Sequence, residues 1–310
     1  VDRLAVTGAN GFVGRHVVAA AARAGWSVAG LVRSAEAART VQQAGAQAVV
    51  VPEGDASALA RALAGARAVV HLAMIGDERG GARYEAVNVA GTRRVAAAAT
   101  EAGVPRIVLF SGLGVARYGQ KPRVTNRYFL SKLSAELEVY RSDREAVVFR
   151  PSYIVGPGDG LTRTLLAGLA GDGVEVPGDG AYRMQPVAVE DAAEAVVASA
   201  AGPVRLSPVR PPHRVFDLVG PEAISYRELI AAVARIAGRE GRRVTGPVRE
   251  IPVAEAERRA REGGFEGMGP DTLDCLLCDE VADAEPLRAL LGRAPTPLPA
   301  ALQAAVRGAA

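Results

Sequence analysis

The sequence predicts an α/β fold, a doubly wound parallel sheet with a smaller C-terminal α/β lobe, and three observations carry the prediction. Short, continuously apolar, β-branched runs alternate with Ala-rich helical stretches through the first half of the 310 residues. Strands apolar on both faces require helices on both sides of a parallel sheet. The first run leads through a glycine turn straight into a helix, and after Gly156-Pro157-Gly158-Asp159-Gly160 the alternation breaks down, which marks a different layer.

The strand-like runs are residues 4–6, 27–32, 47–51, 68–72, 106–110 and 146–149, with helices between them. The turn after the first run reads Thr7-Gly8-Ala9-Asn10-Gly11-Phe12-Val13-Gly14 and opens a helix over residues 13–24. Gly8 permits a tight turn, Gly11 lets the backbone approach a pyrophosphate, and Gly14 lets the helix pack closely on the strand. The helix start offers unpaired N–H groups to an anion, so the backbone from Gly8 through Asn10, Gly11, Phe12 and Val13 to Gly14 is the candidate dinucleotide cradle.

The ends of the following strands supply further candidates, because ligands of doubly wound sheets lie at the carboxyl edge. Arg33 follows the second run where an acidic residue would bind a ribose 2′-hydroxyl; a guanidinium suits a 2′-phosphate, so NADP is read ahead of NAD, with Arg15 as a second cation. Asp55-Ala56 either meets the adenine edge or opens a helix with Asp as its cap. Leu72-Ala73-Met74 gives small and apolar backbone near pyrophosphate and ribose, and His71 reads as a packed strand residue rather than a base. Asn88 stands inside a long helical stretch that ends at Gly103; asparagine is a poor helix former, so its amide is expected to have a partner elsewhere.

The fifth run ends in Ser111-Gly112-Leu113-Gly114 and is followed by a helix carrying Tyr128-Phe129-Leu130-Ser131-Lys132. All but two of the 37 basic residues are arginine, which makes Lys132 unusual. With seven tyrosines and two lysines, Tyr-x-x-x-Lys should arise by chance only ~0.05 times. Four apart on a helix, the two side chains share a face. An ammonium there is expected to lower the phenol toward neutrality, making Tyr128 an acid/base for a hydroxyl or carbonyl oxygen.

With these residues in place the chain resembles a short-chain dehydrogenase/reductase of the extended or atypical type, like the NAD-dependent epimerases and dehydratases. The resemblance spans nearly all of residues 3–240. It runs through Thr7-Gly8-x-x-Gly11-x-x-Gly14, Leu72-Ala73, Asn88, Tyr128-x-x-x-Lys132, Arg150-Pro151-Ser152-Tyr153-Ile154-Val155-Gly156-Pro157, Gln185-Pro186-Val187 and Glu190-Asp191-Ala192-Ala193. Phe216-Asp217-Leu218-Val219-Gly220-Pro221 and Ser225-Tyr226-Arg227-Glu228-Leu229 are most similar to the atypical branch that includes the NADPH-binding accessory subunit of respiratory complex I. The resemblance implies that Tyr128 is the acid/base, that Lys132 assists it and holds the nicotinamide ribose, and that Pro151 and Ile154 lie along the nicotinamide. It also implies a Rossmann part over residues 1–160, rejoined by 181–220, with 161–180 and 221–310 forming the substrate lobe. One departure stands out: the catalytic hydroxyl expected just after the fifth strand aligns with Gly112, followed by Leu113. Either Ser111 takes that place or the set is incomplete.

The function implied is reversible hydride transfer at a carbinol or carbonyl carbon, as an oxidoreductase, epimerase or dehydratase. The alternative is a catalytically silent NADP(H)-binding protein with a structural, assembly or sensor role. A net charge of +3 without blocks of like charge argues against a nucleic-acid partner, and no long uncharged apolar stretch argues for membrane insertion. The start of the chain lacks a signal-like pattern, so the expected location is cytoplasmic and the partner a small-molecule substrate, with self-association open. Cys275 and Cys278 have C-x-x-C spacing, yet no second pair and no His spacing suits a metal, and Leu276-Leu277 between them suggests an apolar helix face.

Overall fold

The computed structural model describes residues 1–202 and 213–309. The first half is built from β1 (Arg3–Thr7), α1 (Phe12–Arg23), β2 (Ser27–Val32), α2 (Ala35–Gln43), β3 (Gln47–Val50), α3 (Ala56–Leu63), β4 (Ala68–His71), α4 (Ala90–Glu101), β5 (Arg106–Phe110), α5 (Arg127–Tyr140) and β6 (Glu145–Pro151). Then come β7 (Ile154–Val155), α6 (Gly160–Ala170), β8 (Val174–Pro177), β9 (Arg183–Met184), β10 (Val187–Ala188), α7 (Val189–Ala201) and β11 (His213–Leu218). The rest comprises β12 (Ile224–Ser225), α8 (Tyr226–Arg239), β13 (Val248–Ile251), α9 (Val253–Arg261), α10 (Pro270–Leu276), α11 (Glu285–Leu291) and α12 (Leu298–Gly308).

Seven strands form one sheet in the order β11-β6-β5-β4-β1-β2-β3, every neighbouring pair parallel. The order reverses at β1, so a crevice opens at the carboxyl ends of β1 and β4, the switch point of the doubly wound pattern. The two faces of each strand bury into separate layers. Val6, Val70, Val108 and Phe149 pack with α1, α7 and α11, while Ala5, Val69, Ile107, Leu109 and Val148 pack with α3, α4 and α5. A further core joins Leu165 and Leu169 of α6, Val174 and Val176 of β8, Leu229 and Val233 of α8, and Leu302 of α12.

Two features depart from the sequence reading. β11 was not among the predicted runs: His-Arg-Val-Phe-Asp-Leu mixes polar and apolar residues, as an edge strand can, and only Leu218 is buried. Asn88 does not sit in regular helix, because a π-helical turn over Glu85–Val89 precedes α4. The Pro- and Arg-rich stretch 202–212 reads as a loop in the sequence and lies, apart from Gly202, outside the described residues. Ser225, with Glu228 three residues on, has the sequence pattern of a capping box, and α8 begins with one in full.

Candidate active site

The crevice above β1 and β4 is a cleft of about 420 Å³. Of the residues singled out in the sequence, Gly8, Asn10, Gly11, Arg33, Asp55, Ala56, Leu72, Ala73 and Met74 line it. Thr7, Glu53, His71 and Arg94 also line it and were not assigned to the cofactor. Gly8 has a left-handed φ of 67°, and a Cβ there would meet Ala73 N at 2.8 Å, so the turn is pressed against the strand-end backbone after β4. Gly14 is tighter still: its Cβ would stand 2.1 Å from the Gly8 carbonyl oxygen. α1 begins at Gly11 with no side-chain cap and no acidic residue in its first turn. Its first N–H groups, those of Phe12, Val13 and Gly14, are therefore free for an anion. These features fit a dinucleotide diphosphate.

The rim decides less. Arg33 is exposed and stands 3.8 Å from Glu53, itself exposed, an ion pair too loose and solvated to hold the guanidinium away from a phosphate. Arg15, read above as a second cation, is not at the rim: it donates to the Pro157 carbonyl and lies over the Phe12 ring, which turns it away from the cleft. Asp55 caps α3 by accepting the Ala58 N–H at 2.7 Å.

Beneath the cleft runs a buried polar chain. Thr7 Oγ1 and His71 Nδ1 are 2.7 Å apart, and His71 Nε2 and Thr92 Oγ1 are 3.1 Å apart. Thr92 donates in turn to the Asn88 carbonyl. Burial, with the charges of Lys132 and Arg94, pushes the His71 imidazole down to about 3, so it is neutral, as suits a packed strand residue. The Asn88 amide accepts Ile75 N–H at 2.9 Å and donates to Ile75 O and Ser131 Oγ, both at 3.0 Å. Ser131 donates to the Tyr128 carbonyl at 2.7 Å. The chain thus ties the glycine turn, the segment after β4 and α5 together, and the partner expected for Asn88 is the Ile75 backbone.

Asn126 caps α5, and the helix presents Tyr128 and Lys132 toward the end of β5. Lys132 is buried, its Nζ 3.1 Å from the Phe110 carbonyl, 2.7 Å from Met74 Sδ and 5.5 Å from the centre of the Tyr128 ring. The expected lowering of the phenol is not found. Burial, aided by Cys275, Glu280 and Tyr84, raises Tyr128, and burial alone outweighs nearby acids to bring Lys132 down to about 7. A helical Tyr/Lys pair in solvent would behave as expected; here desolvation exceeds the Coulomb gain because Lys132 is buried and Tyr128 half-buried. The enclosure comes from α10, whose Cys275 packs with Tyr128, and from Tyr84, whose ring centre is 6.0 Å from that of Tyr128.

Ser111 Oγ is buried with no hydrogen-bond partner among the described residues, an orphan at the end of β5. Gly112 lies against the aromatic pair of α5: a Cβ there would stand 3.3 Å from the Phe129 ring and 3.8 Å from Tyr128 Cε1. Pro151 ends β6 against Leu218, and Ile154 pairs with Val187; neither lines the cleft. Phe12, Val13, Gly14, Asn88, Ser111, Tyr128 and Lys132 lie outside its lining as well, the last four grouped around the ends of β5 and α5. Cys275 and Cys278 are free thiols, both raised by burial, and no cluster of metal-binding side chains occurs among the described residues.

A family model described as the NAD dependent epimerase/dehydratase family matches residues 4–208. The chain belongs to that family. It is an NAD(P)-dependent enzyme, as its relatives, named as reductases, epimerases and dehydratases, also indicate. It is similar to a ceramide reductase of Caulobacter vibrioides, 32% identical over 248 residues that make up 79% of this chain and 73% of the relative. It is also similar to a 4-hydroxy-2-methyl-3-oxo-4-farnesyl-3,4-dihydroquinoline-1-oxide ketoreductase of Stigmatella aurantiaca, 33% identical over 172 residues that make up 51% of this chain and 52% of the relative. Among solved structures, the UDP-glucose 4-epimerase of Thermus thermophilus with bound NAD shares the fold at a TM-score of 0.74 and 21% identity, covering 99% of this chain and 98% of the other. No helix among the described residues is long and apolar enough to cross a membrane.

Proposed function

We propose that the enzyme is an NADP(H)-dependent ketoreductase acting on a carbonyl compound with an apolar chain, Tyr128 giving its proton to the carbonyl oxygen. The observation that carries the reading is the placement of Tyr128. Its hydroxyl makes no hydrogen bond to a described residue, and it sits beside Lys132 at the end of β5, one strand from the dinucleotide cleft. A reduced nicotinamide, when bound, supplies a hydride to the carbonyl carbon and leaves oxidised. Tyr128 supplies the matching proton and regains one from solvent, so the product is the alcohol. Its raised phenol suits the acid rather than the base, because it stays protonated until an oxyanion develops. Lys132 binds the ribose, Ser111 offers its unpaired hydroxyl, the α1 N-terminus holds the diphosphate, and Arg33 meets a 2′-phosphate.

The substrate class is supported by the surroundings of Tyr128, which include the apolar or weakly polar Tyr84, Phe129 and Cys275. It is supported too by the names of two relatives, both reductases, one of ceramide and one of a farnesyl-bearing ring. The test is NADPH oxidation by the full chain with a panel of ketones of rising alkyl length, 2-dodecanone among them. Turnover that rises with chain length fits the reading. Tight NADPH binding with no turnover of any ketone would instead favour the catalytically silent alternative, to which Gly112-Leu113 points.

A further inference from the structure

Arg94 is a cation in the cofactor cleft that the chemistry above leaves unused. Val87, Gly91, Arg94 and Val95 line the cleft together, at the three- and four-residue spacings that put side chains on one helical face. Arg94 is the charged residue of that stripe, and its guanidinium folds back over Gly91: a Cβ at Gly91 would stand 3.8 Å from Arg94 Nη2. Its neighbour behaves differently. Arg93 gives two hydrogen bonds to the Glu138 carboxylate of α5, at 2.9 and 3.1 Å. Arg94 has no carboxylate within ion-pair distance and no side-chain hydrogen bond among the described residues. The acids that line the cleft both follow β3 and are engaged, Glu53 beside Arg33 and Asp55 as the cap of α3.

The sheet decides which part of a dinucleotide Arg94 meets. α4 follows β4 and packs between α3 and α5, so Arg94 reaches the cleft from the β4 side of the switch point. Arg33 and Glu53 stand at the ends of β2 and β3, on the other side of β1. A dinucleotide lays its diphosphate at the switch point and turns its adenosine 2′ position toward the end of β2. The core residues of α1 bury on one face of the sheet and those of α4 on the other, so the α1 N-terminus and Arg94 approach the switch point from opposite faces. In keeping with this placement, the charge of Arg94 is felt at His71, the last residue of β4.

We propose that Arg94 is the counter-cation of the cofactor diphosphate, holding the phosphoryl oxygens that face away from α1. The inference rests on the reading of this cleft as the NADP(H) site. Each phosphoryl group of the diphosphate carries a negative charge, whereas a helix N-terminus supplies the equivalent of only about half a positive charge. The first N–H groups of α1 therefore leave most of that charge unbalanced, and Arg15 does not help, being turned to the Pro157 carbonyl. A guanidinium balances it with paired N–H donors that match phosphate oxygens. The contact serves NADP(H) and NAD(H) alike, because both carry the diphosphate, and the choice between them stays with Arg33. Arg94 is exposed to the solvent of the cleft, so screening holds its effect to roughly tenfold in affinity.

Calorimetric titration of the full chain with NADPH, NADH and ADP-ribose tests this without turnover. Arg94→Gln should raise all three Kd values roughly tenfold. Arg94→Lys, which keeps a charge able to bind phosphate, should stay within about threefold of wild type. Arg93→Gln, the control, should leave all three Kd values unchanged. A loss confined to NADPH would move Arg94 to the 2′-phosphate, a loss that spares ADP-ribose would move it to the nicotinamide half, and each overturns the proposal. So do unchanged Kd values in Arg94→Gln, or an Arg94→Lys variant as weak as Arg94→Gln, which would set the guanidinium plane against adenine instead of its charge against phosphate. Wild type that binds none of the three overturns the reading of the cleft itself. Wild type that binds all three, with Arg94→Gln unaffected, overturns the role of Arg94 alone.

Discussion

Gly14→Ala tests the cradle at its tightest point. A Cβ at Gly14 would stand 2.1 Å from the Gly8 carbonyl oxygen and 2.9 Å from Ala9 Cα, both backbone atoms that no rotamer change can move aside. To reach even the 3.0 Å lower limit of real Cβ contacts, α1 and the turn must part by about 0.9 Å. That opens the N–H groups of the first helical turn away from the turn that shares the diphosphate with them. Losing one charge-assisted hydrogen bond costs about 1.5–3 kcal/mol, so the NADPH Kd should rise roughly 10- to 150-fold. Calorimetric titration with NADPH is the assay, and Gly25→Ala is its control. Gly25 is left-handed, at φ 81°, and nothing lies within 4 Å of its Cβ position. Gly25→Ala should lose about 1 kcal/mol of stability and keep its Kd. If Gly14→Ala binds NADPH within twofold of wild type, the assignment of the diphosphate to this turn is wrong.

Two further outcomes are expected. Because His71 is held near 3 in the folded chain and returns to 6.5 on unfolding, its contribution to stability is complete above pH 6.5 and is lost as the pH falls toward 3. The loss approaches 1.4 kcal/mol per pH unit, so urea unfolding at pH 5 should be weaker than at pH 7 by about 2 kcal/mol, and His71→Asn should flatten that slope; parallel slopes in both proteins would contradict it. Arg33→Ser should weaken NADPH roughly tenfold and leave NADH unchanged, and an equal loss for both nucleotides would remove the 2′-phosphate assignment.

The parts of the fold that the sequence made plain are those with local causes. The period of buried strands, the glycine turn and the Ser225-x-x-Glu228 cap depend on neighbours within a few residues, and β2 and β5 fall on the boundaries the sequence suggests. β11 escaped because an edge strand need not be apolar throughout. The cleft lining was legible at several strand ends, as at Gly8, Arg33 and Leu72, though not at Glu53 after β3. Arg94 was not, since it reaches the cleft from the exposed side of α4. The electrostatics of Tyr128 could not be read from spacing. Helical geometry gives the distance to Lys132, while the direction of the shift is set by burial, with Cys275 and Glu280, about 150 residues away in the chain, adding to it.

The central claim is that hydride transfer and protonation by Tyr128 meet at one carbon–oxygen bond. The most direct measurement is reduction of 2-dodecanone with NADPH deuterated at the transferring position, comparing wild type with Tyr128→Phe. The account predicts one deuterium on the carbinol carbon of the product, a kcat at least about 100-fold lower in Tyr128→Phe, and the same NADPH Kd for both proteins. Product without deuterium, or a Tyr128→Phe variant as fast as wild type, would contradict it.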